Sequence, residues 1–352
     1  MISPLHTLTF SALAAVCSAE LAEANKPNPA LPCVPEPQRF EDAGQEYWAA
    51  YRALHRVIES SDRQALDQLL TAGADRALAL FIAIDLQKLD IAEHLLWQGN
   101  CVAGKPYARC TVLYALCGCP RFGECGGSSW GDTPISVTPY PDQHKLVALA
   151  LANGADVNEG SGYYRNTPLM QAARSGDTAT IELLLQAGAD VNRRNAGGMT
   201  ALSWAACENH PEVVKLLLAA GALVNIPTTC CGATPNGWCR TGCTELHIAA
   251  LHGSTECISL LLAAGADIEA RDMFGRTPFI LSPLSGNTAT VRALIDGGAD
   301  INACYKSSSF DKEPTPGYNA LHQLDNRYRP GDSRGEEMRQ FLLNAGVKNA
   351  AL

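Results

Sequence analysis

Residues 200–221 read TALSWAACENHPEVVKLLLAAG, and their pattern decides the fold. A threonine at the head of such a run can cap a helix start with its side-chain oxygen. The apolar density of Val213-Val214-Lys215-Leu216-Leu217-Leu218 predicts a second helix with buried flanks, and Gly221 supplies the left-handed residue that ends it. The same design recurs. Thr167-Pro168-Leu169-Met170 reaches Gly188, Thr244-Glu245-Leu246-His247 reaches Gly265, and Thr277-Pro278-Phe279-Ile280 reaches Gly298, each after the same 21 residues. Pro168 and Pro278 fall at the first helical position, where a missing N–H has no intrahelical acceptor to lose.

Counting outward by that offset places degenerate copies. Arg52-Ala53-Leu54-His55 lies 21 residues before Gly73, and Leu78-Ala79-Leu80-Phe81 lies 21 before Gly99. Thr111-Val112-Leu113-Tyr114 precedes Gly154 with an insert of 22 residues, and Asn319-Ala320-Leu321-His322 precedes Gly346 with an insert of 6. About eight units result. Their length and threonine-led tetrapeptides resemble the ankyrin-repeat family, whose unit opens T-P-L-H-x-A. The resemblance implies an all-α repeat solenoid over 47–352, each unit a helix A, an antiparallel helix B and a β-hairpin finger. It also implies a scaffold that catalyses no reaction and binds a protein partner with finger tips and the concave inner face of helix A. It gives His55, His247 and His322, fourth in their tetrapeptides, a structural role against finger backbone.

Composition narrows the function classes. Hydrophobic residues make up 47% and charged residues 18%, a folded chain's balance. A net charge of −9, with no Lys/Arg run longer than two, argues against nucleic acid as a partner. No apolar stretch reaches the ~18–20 residues a spanning helix needs, so a membrane-spanning chain is not expected. Residues 1–19, apolar from Leu5 to Val16 and closing on Cys17-Ser18-Ala19, read as a signal peptide. Residues 20–46, with Pro27, Pro29, Pro32, Pro35 and Pro37, read as a linker. Fourteen cysteines and no N-x-S/T sequon point to an oxidising bacterial compartment, the periplasm or outside, with the cytoplasm the alternative if residues 1–19 are not a signal.

The fingers from Gly221 to Thr244 and from Gly298 to Asn319 exceed the usual 12 residues by eleven and nine. Cysteines gather in such inserts: Cys230, Cys231, Cys239 and Cys243 in one finger, and Cys117, Cys119 and Cys125 in the third unit, near Cys101 and Cys110. Disulfides are the expected use of these nine, Cys101 to Cys110 being the favoured pair; four thiolates on zinc would be the alternative, and no metal or cofactor is assigned. Cys207 and Cys257 read as buried thiols. Gly127-Ser128-Ser129-Trp130-Gly131 fits a hydrolase nucleophile pattern but lies in a glycine-rich insert, and no catalytic residue is assigned. The position after each tetrapeptide places Trp204, Ile248 and Leu281 in an expected exposed stripe, with Tyr163, Tyr164, Arg194, Trp238, Met273, Phe274 and Arg276 on the fingers. Capture of a partner is the leading expectation. Alternatives are a periplasmic immunity or inhibitor protein blocking a toxin or enzyme, and a redox- or zinc-responsive module.

Overall fold

A computed structural model describes residues 45–98, 116–117, 143–161, 164–229, 241–305, 318–329 and 331–348. Among them the chain is helical, with no β-strand. It divides after residue 163 into two units, each compact in itself.

The first unit holds α1 (Gln45–Glu59), α2 (Arg63–Thr71), α3 (Arg76–Asp85), α4 (Leu89–Trp97) and α5 (Gln143–Ala152). Helices α1 and α3 pack side by side, and α4 packs on both α3 and α5. Leu54, Ile58, Leu66, Phe81, Ile91 and Leu96 are buried between them. The boundaries depart from the repeat count here: α3 is capped by Asp75, whose carboxylate accepts N–H bonds from Ala77 and Leu78, so Leu78 lies inside the helix and does not open it. A short acidic side chain caps a helix start where leucine cannot.

The second unit follows the sequence closely. Its A helices are α6 (Pro168–Ser175), α8 (Ala201–Cys207), α10 (Glu245–His252), α12 (Pro278–Leu281, continued as a 3-10 turn over Ser282–Ser285) and α14 (Ala320–Arg327). Its B helices are α7 (Thr178–Gln186), α9 (Pro211–Ala219), α11 (Thr255–Ala263), α13 (Thr288–Asp296) and α15 (Ser333–Asn344). Thr167, Thr200, Thr244, Thr277 and Asn319 are the N-caps of the A helices, as the register predicts. A packs beside A along α6, α8, α10 and α12, and B beside B along α7, α9, α11 and α13. Ile181, Leu184, Val213, Leu217, Ile258, Leu261, Val291 and Leu294 are fully buried on the B helices, worth roughly 1.5–3 kcal/mol each.

The fingers are hairpin-like, each closed by one bonded pair in place of a ladder. That pair joins the seventh residue after the helix-B glycine to the residue before the next cap. Asn195 N–H bonds Met199 O at 3.0 Å, Thr228 N–H bonds Cys243 O at 2.9 Å, Asp272 N–H bonds Arg276 O at 3.0 Å, and Tyr305 and Tyr318 exchange two bonds of 2.9 Å. The two enlarged fingers keep the same closing pair, so their added residues fall between its members and leave the stacking register intact.

Two glycines separate two demands. Gly188 has φ +87° with open space where a Cβ would sit. Gly198 has φ +79°, and a Cβ there would lie 2.7 Å from the backbone nitrogen of Thr229 in the next finger. Gly188→Ala is therefore expected to cost about 1 kcal/mol, the left-handed penalty alone, and Gly198→Ala about 3 kcal/mol or more because two fingers must part. Chemical denaturation of both variants checks this; equal losses would contradict it.

Candidate partner-binding surface

The stripe expected on helix A is closed to solvent. Trp204 is 0% exposed, and Ile248 and Leu281 are 1% exposed. Every residue of α8 is buried, because neighbouring A helices flank it on both sides and Ala205 and Ala206 permit close approach. The Arg174 guanidinium lies 5.3 Å from the centre of the Trp204 ring, and Arg174 itself is held by Glu208 at 3.5 Å. Trp204, Ile248 and Leu281 are thus core residues, a correction to their assignment as a surface stripe. Enclosure of the indole has a cost, since Trp204 Nε1 has no hydrogen-bond acceptor among the described residues.

The finger edge of the second unit is accessible, as are the outer faces of its B helices. Met273 is 58% exposed, Arg194 is exposed, and Tyr164 and Phe274 are half-buried. Arg276 is committed to the fold: its guanidinium holds the buried Asp272 carboxylate at 2.6 Å and lies 5.1 Å above the Phe274 ring. Asp272 in turn accepts the N–H groups of Phe274 and Arg276 at 2.9 Å, which fixes the turn. Tyr163 and Trp238 lie outside the described residues.

The fingers are tied to one another in a constant register. The residue four after each glycine accepts the N–H two after the next glycine: Asn192 from Leu223 at 2.8 Å, Asn225 from Asp267 at 2.8 Å, Glu269 from Asp300 at 2.7 Å, and Asn302 from Lys348 at 3.1 Å. Backbone bonds repeat the link, from Ala196 N–H to Tyr164 O, Thr229 to Gly197 and Met273 to Thr241. Arg194 and Arg271, both sixth after their glycines, each bond a carbonyl of their own finger and one of the next: Gly198 O and Pro227 O for Arg194, Gly275 O and Cys304 O for Arg271. Arg271 escaped the sequence reading, although its position relative to Gly265 matches that of Arg194 to Gly188.

Several described histidines and thiols are engaged in the fold. His247 donates Nε2–H to Arg276 O at 2.9 Å and accepts the Thr244 N–H at Nδ1, the structural role expected of it. Burial lowers its pKa. His55 instead sits 3.7 Å from Glu59, and His322 stacks on Tyr318 at 3.9 Å. Cys207 and Cys257 are buried free thiols, as expected. Cys207 Sγ is 3.5 Å from His252 Nε2, yet burial drives the thiol well up and pushes His252 down to about 4, so the pair stays thiol and neutral imidazole. A thiol in that state is a poor nucleophile. Among the described residues no group of three His, Cys, Asp or Glu could hold a metal ion, and no helix is long and apolar enough to cross a membrane. Cys117 and Cys243 are buried; the partners considered for them, Cys101, Cys110, Cys119, Cys125, Cys230, Cys231 and Cys239, lie outside the described residues, as does Ser128.

Glu245, at the start of α10, is buried with Oε1 on Ser203 Oγ at 3.3 Å and Oε2 accepting the Ile226 N–H at 3.2 Å. Desolvation raises its pKa from 4.5 to about 7 against those hydrogen bonds. The folded state therefore binds a proton more tightly than the unfolded chain. That stabilisation is complete below about pH 4.5 and is lost as pH rises through about 7.

Trp204→Ala is expected to cost about 3–5 kcal/mol of stability, as for a large core side chain, while Trp204→Phe, which removes the unsatisfied N–H, recovers most of it; denaturant titration checks both. Glu245→Gln is expected to gain stability relative to the parent as pH rises from 5 to 8, by about 2 kcal/mol, in paired thermal melts. A pH-independent difference would contradict the buried carboxyl.

Comparison with known proteins agrees with this architecture. The family model described as ankyrin repeats (3 copies) matches residues 135–228 and 229–323, more than half of the chain. Ankyrin repeat protein FPV031 of fowlpox virus is 37% identical over 95 residues, covering 27% of this chain and 28% of that protein. Human ankyrin repeat and SOCS box protein 16 is 31% identical over 173 residues, 44% of this chain and 38% of the relative. E3 ubiquitin-protein ligase XBAT33 of Arabidopsis thaliana is 32% identical over 122 residues, 34% and 22% respectively. The chain thus spans well under half the length of these relatives. Ankyrin repeats serve as protein–protein interaction scaffolds, and with a model match over most of the solenoid register, this chain belongs to the ankyrin-repeat family.

Proposed function

We propose that the chain captures a protein partner along the finger edge of its second unit and catalyses no reaction. One observation carries this reading: the expected stripe on α8, α10 and α12 is closed while Arg194, Met273 and their neighbours stay exposed on fingers whose backbone is bonded from one unit to the next. A surface held this rigidly loses little conformational entropy on binding. Tyr, Arg and Met are also residue types enriched where interfaces form. The ligase named among the relatives is matched over 22% of its length, and its activity is not carried to this chain.

We further propose that the chain is exported, residues 1–19 acting as the signal and 20–46 as a tether. Support comes from the apolar run ending in Cys17-Ser18-Ala19 and from the five prolines that follow.

A photo-cross-linking residue placed at Met273 or at Arg193 in the native host is expected to yield a covalent adduct with one protein partner. The same residue at Glu182, exposed on helix B, is expected to yield none. Adducts from Glu182 alone would overturn the finger-edge reading. Mass spectrometry of the purified chain should show an N-terminus at Glu20; an intact Met1 would overturn export.

A further inference from the structure

The chain carries a net charge of −9, and Asp190, Asp267, Glu269 and Asp300 open its fingers, yet the later part of each described finger is locally positive. Between the fifth residue after each helix-B glycine and the next cap, the described finger residues of the second unit and the finger from Gly154 contain Arg165, Arg193, Arg194, Arg271 and Arg276 against Glu159 and Asp272. Asp272 is engaged by Arg276. Arg165, Arg193, Arg194 and Arg271 are exposed and have no carboxylate within 4.0 Å among the described residues.

Two of these arginines are preset. Arg194 uses Nε–H and one Nη2–H on carbonyls, and Arg271 uses Nη1 alone. A guanidinium has five N–H donors, so three remain on each for an outside acceptor. Carbonyl oxygens fix the geometry without cancelling the charge, and a fixed fork loses less entropy when it pairs with a carboxylate.

Arg165 adds a conformational argument. It occupies the position two before the cap, taken in the next three fingers by Gly198, Gly242 and Gly275. Its φ is +55°, a left-handed backbone that costs a non-glycine residue about 1 kcal/mol. The cost sets one more exposed guanidinium on the edge, in the finger whose Tyr164 carbonyl bonds Ala196 of the Arg194 finger.

We propose that this edge binds an acidic, extended segment of the protein partner, its carboxylates pairing with Arg165, Arg193, Arg194 and Arg271 and its apolar side chains resting on Tyr164, Met273 and Phe274. The inference rests on the scaffold reading above and names the chemistry of its partner. Because the rest of the chain is acidic, such a segment is repelled elsewhere and steered here.

The test uses the full chain and a fluorescent twelve-residue peptide of alternating Glu and Leu, beside its Gln/Leu counterpart, in anisotropy titrations. Binding of the Glu peptide is expected to be at least tenfold tighter than that of the Gln peptide. It should fall tenfold or more in Arg165→Glu/Arg193→Glu and weaken markedly between 0.05 and 0.5 M salt, about threefold in Debye length. Those two side chains are exposed, so an unchanged melting temperature is expected; Arg193→Gln alone gives a second, milder reading. Equal binding of the two peptides, indifference to both variants, or tighter binding of a DNA duplex would overturn the proposal. Loss of the peptide result with a Met273 cross-link intact would remove the acidic partner and spare the scaffold. Loss of both would remove the scaffold as well.

Discussion

The finger edge of the second unit depends on the residue four positions after each helix-B glycine. Asn192, Asn225, Glu269 and Asn302 each accept a backbone N–H of the next unit, so the spacing between successive fingers is set by hydrogen bonds of 2.7–3.1 Å. Each such bond is worth about 1 kcal/mol net, a modest sum beside the apolar burial of the B helices. Their importance is geometric. Burial without direction would let units slide, and these bonds fix how far one finger stands from another.

With spacing fixed, additions can be tolerated only where they leave it alone. The closing pairs Thr228 with Cys243 and Tyr305 with Tyr318 stand where Asn195 with Met199 and Asp272 with Arg276 stand in normal fingers. In sequence, the extra residues of both enlarged fingers fall between the two members of the closing pair. The same spacing explains why Gly198 meets the backbone of Thr229 while Gly188 meets nothing.

Much of this was legible beforehand. The 21-residue offset placed the caps at Thr167, Thr200, Thr244 and Thr277, and an insert of 6 added Asn319, because a cap and a terminating glycine are local chemistry that a sequence writes directly. Leu78 was misplaced for the same reason, since the tetrapeptide count overlooked Asp75, the better cap. The position of Trp204 was legible and its environment was not. Whether a fifth-position side chain meets water depends on the helices to either side and on an arginine, Arg174, thirty residues away. Arg194 was identified as an interface residue, but its bond to Pro227 O, and the matching Arg271, became meaningful only when adjacent fingers were seen to touch.

The central claim is that the binding surface lies on the fingers and not on the A helices. Hydroxyl-radical footprinting of the folded full chain tests it most directly, because Met273 and Trp204 are both intrinsically reactive and differ in burial, 58% against 0% exposed. The account predicts rapid oxidation of Met273 with Trp204 protected until denaturant unfolds the second unit. Oxidation of Trp204 in the folded chain at the rate seen in denaturant would contradict it.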